Sequence, residues 1–247
     1  MNNQNEFLED AGHRGRTYVL IHGAWYGAWC WRYITPGLRA KGHRVYAPTL
    51  SGLGARRHLP ADQINLETHI NDIVGEIEME DLKNIHLVGW SYGGMVSTGV
   101  LARVKDRIKS MIYLDAFVPQ NGRALIDYST NRWRDELPKG VPITPIPLER
   151  FGSNDPAIAP FVIARLAVMP YDCMFQPVKA LEERPMDIPH SYIRCLGYEP
   201  SPFDAFHNRF KEDPTWDTFA LKTGHVCMLT HPEETVEALL KAKESQT

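Results

Sequence analysis

Gly89-Trp90-Ser91-Tyr92-Gly93 places a serine between two glycines, with the apolar run Ile85–Val88 before it. A segment of helical period follows, carrying Met95, Val96, Val100, Leu101 and Val104. Strand, sharp turn and helix in that order push a serine hydroxyl beyond a sheet edge and above a helix N-terminus, where developing negative charge is favoured. Side chains at 89 and 93 would collide with neighbouring backbone in such a turn. The expected chemistry is nucleophilic attack by Ser91 on a carbonyl. The spacing does not suit a dinucleotide-binding glycine loop, because Ser91 stands where that motif needs its second glycine.

A serine nucleophile needs a base, an acid and donors for the oxyanion. Thr223-Gly224-His225 follows a short apolar run, downstream of the serine. His225 is therefore the expected base, imidazole being suited to take and return a proton near neutral pH. The run Tyr18–His22 ends in His22-Gly23, and the backbone N–H groups of Ala24 and Tyr92 are the expected oxyanion-hole donors. His22 lies inside that turn, so it is expected to prop the loop by a side-chain hydrogen bond. Asp115 closes the apolar run Met111–Leu114. A carboxylate there is expensive to bury without a partner. It is either the acid that meets His225 or a brace for the following turn.

These residues have to be positioned by strands and helices. The strand candidates are Tyr18–His22, Arg44–Ala47, Ile85–Gly89, Met111–Leu114, Tyr192–Cys195 and Thr218–Leu221. Between them, Leu66, Ile70, Ile73, Val74 and Ile77 follow one buried helical face, and Pro232 opens a helix carrying Val236, Leu239 and Leu240. Alternating strand and helix implies an α/β fold with a mostly parallel sheet flanked by helices. Residues 117–190 break that rhythm, holding 11 of the 18 prolines in less than a third of the chain. Proline removes a backbone donor and fixes φ, so only short helices are expected there. This segment carries Phe151, Phe161, Val162, Leu166, Met169, Tyr171, Met174 and Phe175, too much apolar surface for a linker. The expectation is a core formed by 1–116 and 191–247, with 117–190 inserted as a mainly helical cap over the site.

The 247 residues carry a formal net charge of -3, 43% hydrophobic and 23% charged residues. No basic field is present to gather nucleic acid or anionic lipid. No apolar stretch approaches a bilayer span, and the polar opening MNNQNEFLEDAGHRGR has no apolar leader core. Four cysteines (Cys30, Cys173, Cys195 and Cys227) lie far apart without a C-x-x-C pair, which points to reduced thiols. A cytoplasmic location follows as the expectation. No metal and no other cofactor is implied, and the surface leaves a homodimer open.

The stretches "VLIHGAWYGAWCW", "YAPTLSGLGARRHL", "LVGWSYGGM", "YLDAFVP" and "TGHVCMLTHPEE" together resemble the α/β-hydrolase superfamily. Within it, they resemble in particular the plant methylesterases, the hydroxynitrile lyases and their bacterial esterase relatives. The resemblance runs from residue 18 to about 235 and leaves the cap mainly unmatched. It implies the α/β-hydrolase fold and a Ser–His site. In the lyases a threonine takes the place of Gly23 and a lysine follows the catalytic histidine. Gly23 and Val226 therefore point to ester hydrolysis. In the plant enzymes the triad aspartate lies after the strand matching Tyr192–Cys195, at a position occupied here by Tyr198. Those sequences usually have a small apolar residue where this one has Asp115. Some members of the superfamily carry their acid after the earlier strand, and Asp115 is assigned that role, with Glu199 and then Asp204 as alternatives. Trp25, Trp90 and Met228 are expected to line an apolar pocket for a small, uncharged or aromatic carboxylic ester. Two rival functions remain, a non-hydrolytic Ser–His enzyme of the lyase kind and a ligand-binding protein on the same fold.

Overall fold

The computed structural model describes residues 15–129, 137–153 and 155–242. The polar opening up to residue 14, and positions 130–136 and 154 of the proline-rich segment, lie outside the described residues. Six strands form one sheet: β1 (Thr17–Ile21), β2 (Arg44–Tyr46), β3 (Ile85–Trp90), β4 (Ile108–Leu114), β5 (His190–Cys195) and β6 (Trp216–Leu221). Their order across the sheet is β2-β1-β3-β4-β5-β6, and every neighbouring pair is parallel. All six expected strands are present. Parallel strands are covered on both faces and so read as continuous apolar runs; every residue of β3 and β5 is buried.

The helices are α1 (Ile34–Ala40), α2 (Leu66–Met79), α3 (Gly93–Val104), α4 (Ala159–Ile163), α5 (Asp172–Phe175), α6 (Asp204–Lys211), α7 (Cys227–Thr230) and α8 (Pro232–Lys241). Helix α2 starts where the Asn65 side chain accepts from the Thr68 N–H and Thr68 Oγ1 accepts from the Asn65 N–H, a reciprocal cap. It buries Leu66, His69, Ile70, Ile73 and Ile77. Helix α8 opens on Pro232, with Glu233 and Glu234 in its first turn facing the positive end of the helix dipole. No helix among the described residues is long and apolar enough to cross a membrane.

After β1 the chain builds outward to β2, then crosses back to place β3 on the other side of β1. The crevice outside the C-terminal ends of β1 and β3 is thus a topological switch point, where open α/β sheets bind ligands. Between β4 and β5, the described part of 117–190 holds the short helices α4 and α5, two single helical turns and one antiparallel bridge, Ile143 to Met169. The rest of its described residues are irregular, so the segment is not mainly helical as expected; its prolines remove backbone donors and fix φ. Phe151, Val162, Met169 and Met174 of this segment are buried in the common core.

Candidate active site

Three loops meet at the C-terminal edge of the sheet. The first follows β3, where Ser91 adopts φ 55. A left-handed backbone is uncommon for a residue with a side chain and marks the sharp turn that lifts its hydroxyl. The turn tolerates no side chains beside it. A Cβ at Gly89 would stand 2.7 Å from Gly93 O, and one at Gly93 would stand 2.5 Å from Ile21 O. Tyr92 caps α3, so its N–H is one of the unbonded donors at the start of a helix.

The second loop follows β1. A Cβ at Gly23 would lie 3.0 Å from both Ser91 Cβ and the Trp90 ring, so this turn runs against the serine. Neither the Ala24 N–H nor the Tyr92 N–H finds a protein acceptor among the described residues. Trp25 has φ 66. It is held there by the proline-rich segment: its indole N–H donates to Ile143 O at 3.0 Å, and its carbonyl accepts from Ala167 N–H at 2.9 Å. His22 props the turn as expected, with Nδ1 2.9 Å from Gly23 O.

The third loop follows β6 and carries His225, which is 3% exposed. Its Nδ1 lies 2.7 Å from Asp115 Oδ2. A carboxylate only accepts, so Nδ1 carries a proton and gives it to Asp115. Four aromatic rings pack on the imidazole, those of Trp90, Phe151, Tyr198 and Phe203, with centroids 5.0 to 5.3 Å away. The proline-rich segment also bonds this loop directly: Phe151 O accepts from His225 N–H at 2.9 Å, and Ser153 Oγ accepts from Val226 N–H at 3.2 Å. Gly152 sits at φ +61, and a Cβ there would lie 1.9 Å from Gly197 O. Only glycine lets the proline-rich segment approach the turn after β5 so closely.

Asp115 is fully buried with φ 43. Its other oxygen, Oδ1, accepts from Arg194 Nη1 at 2.9 Å and from Cys195 N–H at 3.1 Å. Arg194 is itself fully buried. It donates through Nε to Asp204 at 2.9 Å, through Nη2 to Tyr198 O at 2.7 Å, and through Nη1 to Cys195 O as well. The sequence reading missed Arg194, Phe203 and His69. Arg194 left one signal, a charge inside the strand run Tyr192–Cys195. Leu114 pairs with Ile193 across the sheet, so Asp115 and Arg194 are the next residues along adjacent strands.

The other expected residues separate. Glu199 is exposed, whereas Asp204 joins the cluster through Arg194. Trp90 is 1% exposed, and its indole N–H donates to His225 O at 3.0 Å, so it forms a wall between His225 and the Gly23 turn. Trp25 is 6% exposed and Met228, in α7, is 0% exposed. A cavity of about 430 Å³ beside Thr98, Tyr113, Arg184 and Trp216 does not touch the Ser91 site.

A family model described as alpha/beta hydrolase family matches residues 18–238. A carbendazim hydrolyzing esterase of Nocardioides sp. (strain SG-4G) is 36% identical, covering 90% of this chain and 97% of that one. Methylesterase 1 of Arabidopsis thaliana is 30% identical over 58% of this chain and 48% of its own length. Among solved structures, an extracellular alpha/beta-hydrolase from a Paenibacillus species superposes with a TM-score of 0.77 at 26% identity. That match covers 92% of this chain and 98% of the other, whose description ties it in structure and function to tobacco salicylic acid binding protein 2.

Proposed function

The chain belongs to the α/β-hydrolase family, and from that membership we propose that it is a serine esterase in which Ser91 is acylated, His225 is the base and Asp115 the acid. The single observation that carries the reading is the 2.7 Å contact between Asp115 Oδ2 and His225 Nδ1, which leaves Nε2 free to take a proton at the edge where Ser91 stands. The esterase activity itself accords with the named relatives.

In the first step the Ser91 hydroxyl attacks the ester carbonyl while His225 Nε2 takes its proton. The Ala24 and Tyr92 N–H groups hold the oxygen that becomes negative. Asp115 fixes the tautomer and stabilises the imidazolium. The imidazolium then protonates the departing alcohol, leaving Ser91 acylated. Water, deprotonated by the same ring, releases the acid and restores the serine. Residues 117–190 act as the cap, with Phe151 and the strained Trp25 as its contacts with the base and the oxyanion turn. The rings around the site suit a compact, uncharged or aromatic acyl or alcohol group. Gly23 and Val226 support hydrolysis over cyanohydrin cleavage.

The test is mass spectrometry after treatment with an organophosphonate, run beside a panel of small aryl esters, methyl esters and carbendazim. The expected result is a single adduct on Ser91 and loss of turnover in the labelled protein. Folded protein that consumes the esters while Ser91 stays unlabelled would overturn the reading.

A further inference from the structure

Two buried histidines that take no part in proton transfer sit behind the oxyanion donors. His22 and His69 are both fully buried. The Leu50 N–H donates to His22 Nε2 at 3.1 Å, so the ring carries its proton on Nδ1 and gives it to Gly23 O at 2.9 Å. His69 has the opposite tautomer. Its Nε2 faces Ser51 O at 2.8 Å and must donate, leaving Nδ1 to accept from the Tyr92 hydroxyl at 2.8 Å. Leu50 and Ser51 are consecutive, so one short piece of backbone holds one imidazole by its N–H and the other by its C=O. Asp72, on the same helix as His69, fixes that piece through Ser51 N–H at 2.6 Å and Ser51 Oγ at 2.9 Å.

We propose that His22 and His69, joined through Leu50–Ser51, are positioning residues that aim the two oxyanion-hole N–H groups. Gly23 C=O and Ala24 N–H belong to one planar peptide unit, so pulling the oxygen toward His22 turns the N–H the opposite way, toward the crevice. His69 anchors the Tyr92 side chain at the start of α3 and thereby the N–H of the same residue. Burial pushes both imidazoles down to about 4, so the device stays neutral through the working range. Donors set in advance need no reorganisation when the charge appears.

The inference rests on the serine-esterase reading and goes beyond it. It is tested by substitutions that separate the two contacts of His22. Asparagine places its amide where Nδ1 stands and can still serve Gly23 O; glutamine places its amide where Nε2 stands and can serve only Leu50. The expected result is that His22→Gln lowers kcat about 10²-fold with KM within about twofold, while His22→Asn stays within about tenfold of wild type. Tyr92→Phe, which removes only a hydroxyl, is expected to lower kcat about tenfold. In each variant the affinity for an aryl trifluoromethyl ketone falls in proportion to kcat/KM. Thermal unfolding is followed in parallel, and rates are taken well below each midpoint. Equal rates in the asparagine and glutamine variants, or lowered stability with unchanged kcat and ketone affinity, would overturn the proposal. Phosphonate labelling of Ser91 in the same variants keeps the two readings apart. A labelled serine with unchanged rates removes the positioning role alone, whereas an unlabelled serine in active protein removes the esterase reading beneath it.

Discussion

On the β4–β5 side of Ser91 the site is built from buried polar and charged groups, Asp115, Arg194 and the proposed base His225, with Asp204 at the rim. On the β1–β2 side it is built from neutral groups, His22, His69 and the Tyr92 phenol, bonded to backbone or to each other. The two sides meet different electrostatic demands. In the proposed mechanism a proton moves onto the His225 ring, and the cation formed there needs a carboxylate beside it. Without a further partner, a carboxylate at that depth would be buried with no permanent counter-charge. Arg194 supplies one, and the Cys195 N–H adds a second donor. Where the proposed mechanism forms an oxyanion, charge is transient, and backbone dipoles aimed beforehand would serve it.

That contrast can be broken at several points. Ser91→Ala removes the group both sides serve and is expected to cut ester turnover by about 10⁴–10⁶, read from steady-state rates. A tenfold loss or less would mean that neither side supports covalent catalysis. Asp115→Asn tests the charged side and is expected to cost about 10³–10⁴ in kcat. Full activity in that variant, with Glu199→Gln inactive, would move the acid to residue 199. Arg194→Met leaves Asp115 short of its cation and is expected to lower unfolding free energy by about 3–5 kcal/mol in urea titrations. Arg194→Lys should fall between, since it keeps the charge without the planar fork. A methionine variant as stable as wild type would show the arginine to be dispensable.

The neutral side is tested by acid. Burial pushes His22 and His69 down to about 4, against about 6.5 for a free ring. The unfolded chain therefore binds protons that the folded chain refuses, so stability is intact above about pH 6.5 and falls as pH drops toward 4. The loss approaches on the order of 3 kcal/mol per histidine. Urea midpoints at pH 7, 5.5 and 4.5 should decline in that order. Equal midpoints would mean that these rings are charged in the folded protein.

Much of the sheet was legible because parallel strands covered on both faces must be apolar and continuous. Their starts were not: β4 begins at Ile108 and β6 at Trp216, earlier than the apolar runs suggest, since Lys109 and Asp217 are only partly buried and break the pattern. The elbow was legible for a steric reason, as the contacts at Gly89 and Gly93 leave no room for another residue. Asp115 was legible as a charge needing a partner. Phe151 and Phe203 were not legible as neighbours of His225, because these contacts span 74 and 22 positions and leave no periodic mark.

What the sequence determined by itself was local: which residues turn, which strands are covered, and which side chains carry chemistry. Backbone sterics and apolar periodicity act over a few residues and are written in adjacent letters. Only the tertiary structure decided which charge meets which. Asp115 could have been a turn brace until β4 and β5 aligned and set it between Arg194 and His225. His22 and His69 are two of ten histidines until residues 50 and 51 link them. Such pairings depend on register between distant strands, a global property that no short stretch of chain records.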